Sequence, residues 1–162
     1  MICKCKNKMT QAVLPEYDFS PLVGLPVVVL GMPVLRCKKC GEEMLDGPDI
    51  ERVLAALTRA VTELPRRLGP KEARFLRGQL GLTQKALAEK MGLHTITVAG
   101  WESTKTISPQ NDYILRSMIA SAKLRPAFQD KTFMALAQVH KEKPRRTPSR
   151  IVLDKKKWSL AS

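Results

Sequence analysis

The eighteen residues from Gln84 to Trp101, QKALAEKMGLHTITVAGW, leave few folds open. Leu87, Ala88, Met91, Leu93, Val98 and Trp101 are apolar and recur at helical spacing on either side of Gly92. The frame predicts two short helices meeting at a corner. Ala88 is small where the helices cross, and Gly92 allows the positive φ that the corner needs. Leu93, Val98 and Trp101 dock the second helix onto the first. His94, Thr95, Ile96 and Gly100 then occupy the opposite face, the one a recognition helix turns toward the major groove. An ordinary helical hairpin would use a similar apolar stripe. The small residue at the crossing and the glycine at the corner favour a helix-turn-helix.

The flanks extend this frame. Thr83 is placed to cap the first helix. Gln84 stands at its start, where an amide reaches a phosphate or an adenine edge. With Leu80-Gly81-Leu82-Thr83-Gln84 ahead and Trp101-Glu102 behind, the segment resembles the Xre/Cro-type repressor helix-turn-helix over residues 69 to 122. Thr95 and Thr97 are then expected at base edges and Ile96 at a thymine methyl. Lys85, Lys105 and Arg77 are expected at phosphates. Ser103 and Gly100 complete the candidate DNA-facing set. His94 has two readings that the sequence leaves open, a helix cap or a DNA contact.

The charge fits a polyanionic partner. Lys and Arg number 28 against 15 Asp and Glu, a formal net charge of +13. Eight of the basic residues (Lys141, Lys143, Arg145, Arg146, Arg150, Lys155, Lys156, Lys157) cluster near the C-terminus against Glu142 and Asp154. That tail is either a solvated end or a source of salt-sensitive phosphate attraction. The apolar run Leu22 to Leu35 is fourteen residues long and contains Pro26 and Pro33, too short to span a bilayer as a helix. It also lacks the small residue of a secretory cleavage site, since Arg36 stands there. The expectation is a cytoplasmic protein without a membrane partner.

Cys3, Cys5, Cys37 and Cys40 are the four cysteines, all in the first quarter of the chain. Reducing surroundings argue against disulfides, and four thiolates in two close pairs suit one structural, tetrahedral Zn2+. Cys37-Lys38-Lys39-Cys40-Gly41 carries the stronger signal: two intervening residues aim both sulfurs at one ion and Gly41 turns the chain beyond. Cys3-Lys4-Cys5 has one intervening residue, and its sulfurs are expected to share a side only from an extended segment. Free buried cysteines or a redox pair are the competing readings. No ligand position looks open and no base stands beside the site, so catalytic zinc is not expected.

The N-terminal cysteine pair, the Val-rich stretch, GMPVLRCKKCGEEML, a helix and then the Xre-type module resemble the MqsA/YgiT-type antitoxins over residues 1 to 122. The resemblance implies that Cys3, Cys5, Cys37 and Cys40 are zinc ligands and that the N-terminal domain faces a small toxin. It also implies a homodimer that represses its own operon at a palindromic operator. The first pair departs from the more common Cys-x-x-Cys, and Ile96 and Gly100 stand where polar readers are usual.

The expected fold is mainly α, with a small N-terminal β zinc-ribbon-like domain and a C-terminal helix-turn-helix domain. Two short strands are expected between Gly24 and Cys37, with a turn near Gly31 and an edge position at Pro33. An amphipathic helix is expected over Pro48 to Leu64, its stripe formed by Ile50, Val53, Leu54, Leu57, Val61 and Leu64. The resulting organisation is a zinc-binding domain with its trailing helix over 1–64, a linker over 65–70, the helix-turn-helix domain over 71–125 and a basic extension over 126–162. Within that extension, a helix over 127–140 and a hairpin from Ile151–Leu153 and Trp158–Leu160 are expected. No nucleophile–base pair or phosphate loop appears, so the chain is expected not to be an enzyme. A sequence-specific repressor and antitoxin is the leading reading. A toxin-neutralising scaffold and a stand-alone zinc-containing regulator are the alternatives.

Overall fold

A computed structural model describes residues 1–124, 151–154 and 159–160. The helix expected over 127–140 and the basic residues Lys141 to Arg150 and Lys155 to Lys157 lie outside the described residues. The chain forms two compact units. One comprises Met1–Leu22, Pro26–Leu57 and the C-terminal strands; the other comprises Val23–Leu25 and the chain from Thr58 through the last described helix. A small N-terminal sheet is thus followed by helices, as expected.

The first unit is built on two long antiparallel strands, β1 (Met9–Asp18) and β2 (Val27–Cys37), paired in a register that sets Met9 opposite Cys37. The short helix α1 (Ser20–Val23) follows β1. The two-strand expectation for Gly24 to Cys37 is corrected, because β2 is one continuous strand. Gly31 has a φ of +68° but does not end it. β1, with Pro15 in its middle, was not anticipated. Nor is β2 an edge. Its second side pairs with β3 (Glu43–Leu45) over Val34–Arg36 and, in parallel, with β4 (Ile151–Asp154) over Val27–Leu30. Pro33 falls between those two ladders, where a central strand tolerates a residue without an N–H. β5 (Ser159–Leu160) pairs antiparallel with β4, so the expected C-terminal hairpin exists and adds to the N-terminal sheet. Its core holds Phe19, Val27, Val28, Val29, Met32, Val34, Ile151 and Leu153, all buried. Helix α2 (Gly47–Thr62) has Pro48 in its first turn and buries Val53, Leu57 and Val61.

The second unit contains α3 (Pro70–Gln79), α4 (Gln84–Met91), α5 (Thr95–Trp101) and α6 (Pro109–Lys123). Thr83 caps α4 by accepting from the Ala86 N–H at 3.1 Å, and Ser108 caps α6 through the Asn111 N–H at 3.3 Å. Leu87, Ala88, Val98, Trp101, Leu115 and Ile119 form its centre.

The residues read from sequence as a linker are firmly held here. Arg66 is buried in an ion pair with Glu72, and Leu68 is buried, its N–H donating to Asp112 Oδ1 at 2.9 Å. Arg116, fully buried, donates to the carbonyls of Thr62 at 2.9 Å, Leu64 at 2.8 Å and Arg66, and lies 3.0 Å from Asp112 Oδ2. Burial pulls its pKa down, opposed by the Asp112 charge. Two cations and two carboxylates thereby share one buried network, which offsets the cost of removing each from water.

Candidate metal centre and nucleic-acid interface

The pairing of Met9 with Cys37 sets two cysteine-bearing turns side by side at one end of the β1–β2 pair. In the second turn the Gly41 N–H donates to the Cys37 carbonyl and the Cys37 N–H to the Glu42 carbonyl, each at 2.9 Å, with Gly41 at φ +74°. This is the reversal expected of that glycine. The first turn corrects the extended reading of Cys3-Lys4-Cys5. The Lys6 N–H donates to the Cys3 carbonyl and the Cys3 N–H to the Asn7 carbonyl, each at 2.9 Å. Lys6 takes a φ of +63°, and this tight turn, not strand alternation, puts both sulfurs on one side.

The four sulfurs lie within 4.8 Å of one another. Cys3 Sγ is 3.3 Å from Cys40 Sγ, and Cys5 Sγ is 3.4 Å from Cys37 Sγ. A tetrahedral ion with bonds of about 2.3 Å needs sulfur separations of about 3.8 Å. Two pairs lie a few tenths of an ångström inside that value and none exceeds 4.8 Å, so the donor set fits a closed thiolate site for a metal ion. All four cysteines are free of disulfides. Two neighbours that sequence reasoning missed touch them. The Asn7 amide donates to Cys5 Sγ at 3.5 Å and holds that thiol down to about 6. The Glu42 carboxylate accepts from Cys3 Sγ at 2.9 Å and pushes that thiol up. Glu42 also pairs with Lys4 at 3.2 Å. Each stands two residues beyond the second cysteine of its turn, a spacing that could have flagged them.

In the second unit, Gly92 ends α4 in the left-handed conformation, φ +66°, and the Leu93 N–H reaches back to the Ala88 carbonyl at 2.8 Å. α5 leaves this corner with Val98 and Trp101 buried and with Thr95 and Ile96 exposed. Ile96 is 77 % exposed, the most exposed large apolar side chain among the described residues.

The helix-turn-helix family HTH_3 matches residues 74–111. The chain therefore carries a helix-turn-helix domain, of a family of DNA-binding regulators that are generally not enzymes. No curated protein and no solved structure matches the chain. No described helix is long and apolar enough to cross a membrane.

Within the helix-turn-helix the candidate residues separate into two groups. Lys85, His94, Thr95, Ile96, Ser103 and Lys105 are exposed. His94 sits at the N-cap of α5, but its side chain makes no capping bond, so the cap reading loses its support. Thr97 and Gly100 are half-buried at the flanks of the outer face. Arg77 and Gln84 behave differently. Arg77 Nε and Nη2 donate to the Glu102 carboxylate at 2.5 and 2.9 Å, and its Nη1 donates to the Leu82 carbonyl at 2.6 Å. Gln84 Nε2 donates to Glu102 Oε2 at 2.9 Å. Arg77 is thus directed inward by Glu102, and its expected phosphate contact gives way to an internal ion pair. Glu102 was missed because its partners lie 25 and 18 residues away.

Proposed function

We propose that this protein is a cytoplasmic, zinc-stabilised transcriptional repressor that binds a palindromic operator as a homodimer and serves as the antitoxin of a toxin–antitoxin pair. The observation that carries the DNA-binding core is the outer face of α5, where His94, Thr95 and Ile96 stand exposed on a helix fixed by Val98 and Trp101. Thr95 and Thr97 exchange hydrogen bonds with base edges, and Ile96 packs on a thymine methyl. Lys85 and Lys105 meet phosphates and supply affinity without sequence information. Two such helices, about 34 Å apart in a dimer, enter successive major grooves.

Zn2+ is the ion that four thiolates at these separations suit best, and Cys3, Cys5, Cys37 and Cys40 would hold it with no open position. The ion is structural and ties the two turns together. The exposed lysines of those turns offset the charge of the thiolates. The antitoxin role rests on the two cysteine turns and the helix-turn-helix occurring in one chain, the combination that resembles MqsA/YgiT-type antitoxins.

The test is titration of labelled duplexes with the purified protein. A fragment from upstream of its own gene should bind more tightly than a scrambled duplex of equal composition, and binding should weaken steeply with salt. Equal affinity for both duplexes overturns the repressor reading. Failure to co-purify with the product of the neighbouring gene overturns the antitoxin reading alone.

A further inference from the structure

Gly100 lies inside α5, where glycine is a poor helix former, and its φ is not positive. No backbone requirement explains it, so the missing side chain itself is the feature to account for. A Cβ built on Gly100 would lie 3.0 Å from Cδ of Lys105, 3.7 Å from its Cγ and 3.8 Å from its Cβ. The aliphatic stem of Lys105 therefore occupies the place that a side chain at position 100 would fill.

The backbone holds it there. The Gly100 carbonyl accepts from the N–H groups of Ser103 at 3.3 Å, Thr104 at 3.1 Å and Lys105 at 2.9 Å, and from Ser103 Oγ at 3.1 Å. These bonds fold the chain back over the end of α5. Position 100 is one helical turn from Ile96 on the same side of the helix. α5 itself, TITVAGW, contains no lysine or arginine. A cation on this face must come from another segment, and among the described residues no carboxylate pairs with the Lys105 ammonium.

We infer that Gly100 is a positioning residue: its absent side chain seats the stem of Lys105 on the outer face of α5, and Lys105 makes a phosphate contact there that the recognition helix cannot supply. Gly100 on this account reads no base. The inference rests on the DNA-binding reading above and adds to it a division of labour, with sequence read from Thr95 to Thr97 and charge delivered from the following loop.

The experiment uses the full chain loaded with Zn2+ and two probes, the upstream duplex and its scrambled counterpart, across about 50 to 200 mM salt. Gly100→Met fills the seat with a good helix former. It should weaken binding to both duplexes by roughly fivefold, leave their ratio unchanged and flatten the slope of log affinity against log salt by about one. Gly100→Ala should do the same to a smaller degree. Neither should lower the melting temperature, since each replaces glycine in a helix. In a Lys105→Ala background, Gly100→Met should add nothing, because the two residues act as one unit. Weakening that persists in that background, a changed ratio between duplexes, or undiminished binding by Gly100→Met overturns the inference. If the wild-type protein binds neither duplex, the DNA-binding reading itself fails; if it binds both and Gly100→Met is inert, only this inference does.

Discussion

Glu102 gathers two groups that would otherwise face solvent or DNA. Burial alone would push its carboxyl up, but the hydrogen bonds from Arg77 and Gln84 and the Arg77 charge outweigh that and hold it below the usual carboxylate range. A carboxyl whose folded value lies below its unfolded value contributes fully above about pH 4.3. That contribution is lost as the pH falls through the lower, folded value. Melting temperature followed from pH 6 to pH 3 should therefore fall more steeply in the wild type than in Glu102→Gln. At neutral pH the variant should be less stable by about 2–3 kcal/mol, since Arg77 keeps only 15 % of its side chain exposed and loses its counter-charge. A variant as stable as the wild type at pH 7 would show that the ion pair adds nothing to the domain. Ile96 makes the opposite case. At 77 % exposure it adds little to folding, so Ile96→Ala should leave the melting temperature unchanged. If its methyls meet thymine, the same substitution should cost about 1 kcal/mol of discrimination between the upstream and scrambled duplexes.

The corner between α4 and α5 shows how one element boundary controls another. Gly92 holds φ +66°, and a Cβ there would meet nothing within 4 Å. Gly92→Ala should thus cost only the conformational penalty of a left-handed residue, about 1–2 kcal/mol, readable as a lowered denaturation midpoint without a changed slope. A larger loss would mean that the corner packs more tightly than its open surroundings indicate. This corner was legible in the sequence because its causes are local: the cap at Thr83, the glycine and the apolar spacing all lie within one short window. α2 was legible for the same reason. The sheet was not. β1 is interrupted by Pro15 and offers no clean alternation, and the strand that covers Val27–Leu30 lies more than a hundred residues away at Ile151–Asp154. Nothing local in β2 reveals that partner, so Pro33 read as an edge marker. The metal centre divides similarly. The Cys37–Cys40 turn announces itself through its spacing and Gly41, whereas the Cys3–Cys5 turn depends on a left-handed Lys6, a conformation that lysine does not advertise.

At the scale of the molecule, the N-terminal unit is completed from both ends of the chain. Ile151 and Leu153 are 4 % and 0 % exposed and lie on β4 beside β2. Truncation after residue 149 should remove that cover and destabilise this unit by roughly 3–5 kcal/mol, the worth of two buried aliphatic side chains. Hydrogen exchange should show faster opening of Val27–Leu30 in the truncated chain, and unchanged exchange there would contradict a stabilising role for β4. A metal held by the four cysteines would act at the other end of the same sheet. The pairing of Met9 with Cys37 brings the two cysteine turns together, and near them Cys3, Met9 and Cys37 form only a small buried cluster. Three buried residues cannot hold two turns against the entropy of ordering them, so an ion linking four sulfurs would supply the cohesion that the local core lacks. The helix-turn-helix contains no cysteine and is anchored instead by apolar residues and by the Arg66, Glu72, Asp112 and Arg116 network. Chelation should consequently separate the two units in a melting experiment. The transition of the N-terminal unit should move to lower temperature while that of the helical unit stays in place, and restoring one equivalent of Zn2+ should reverse the change. A chelated protein whose two transitions are both unmoved would mean that the four thiols stand together without a metal to join them.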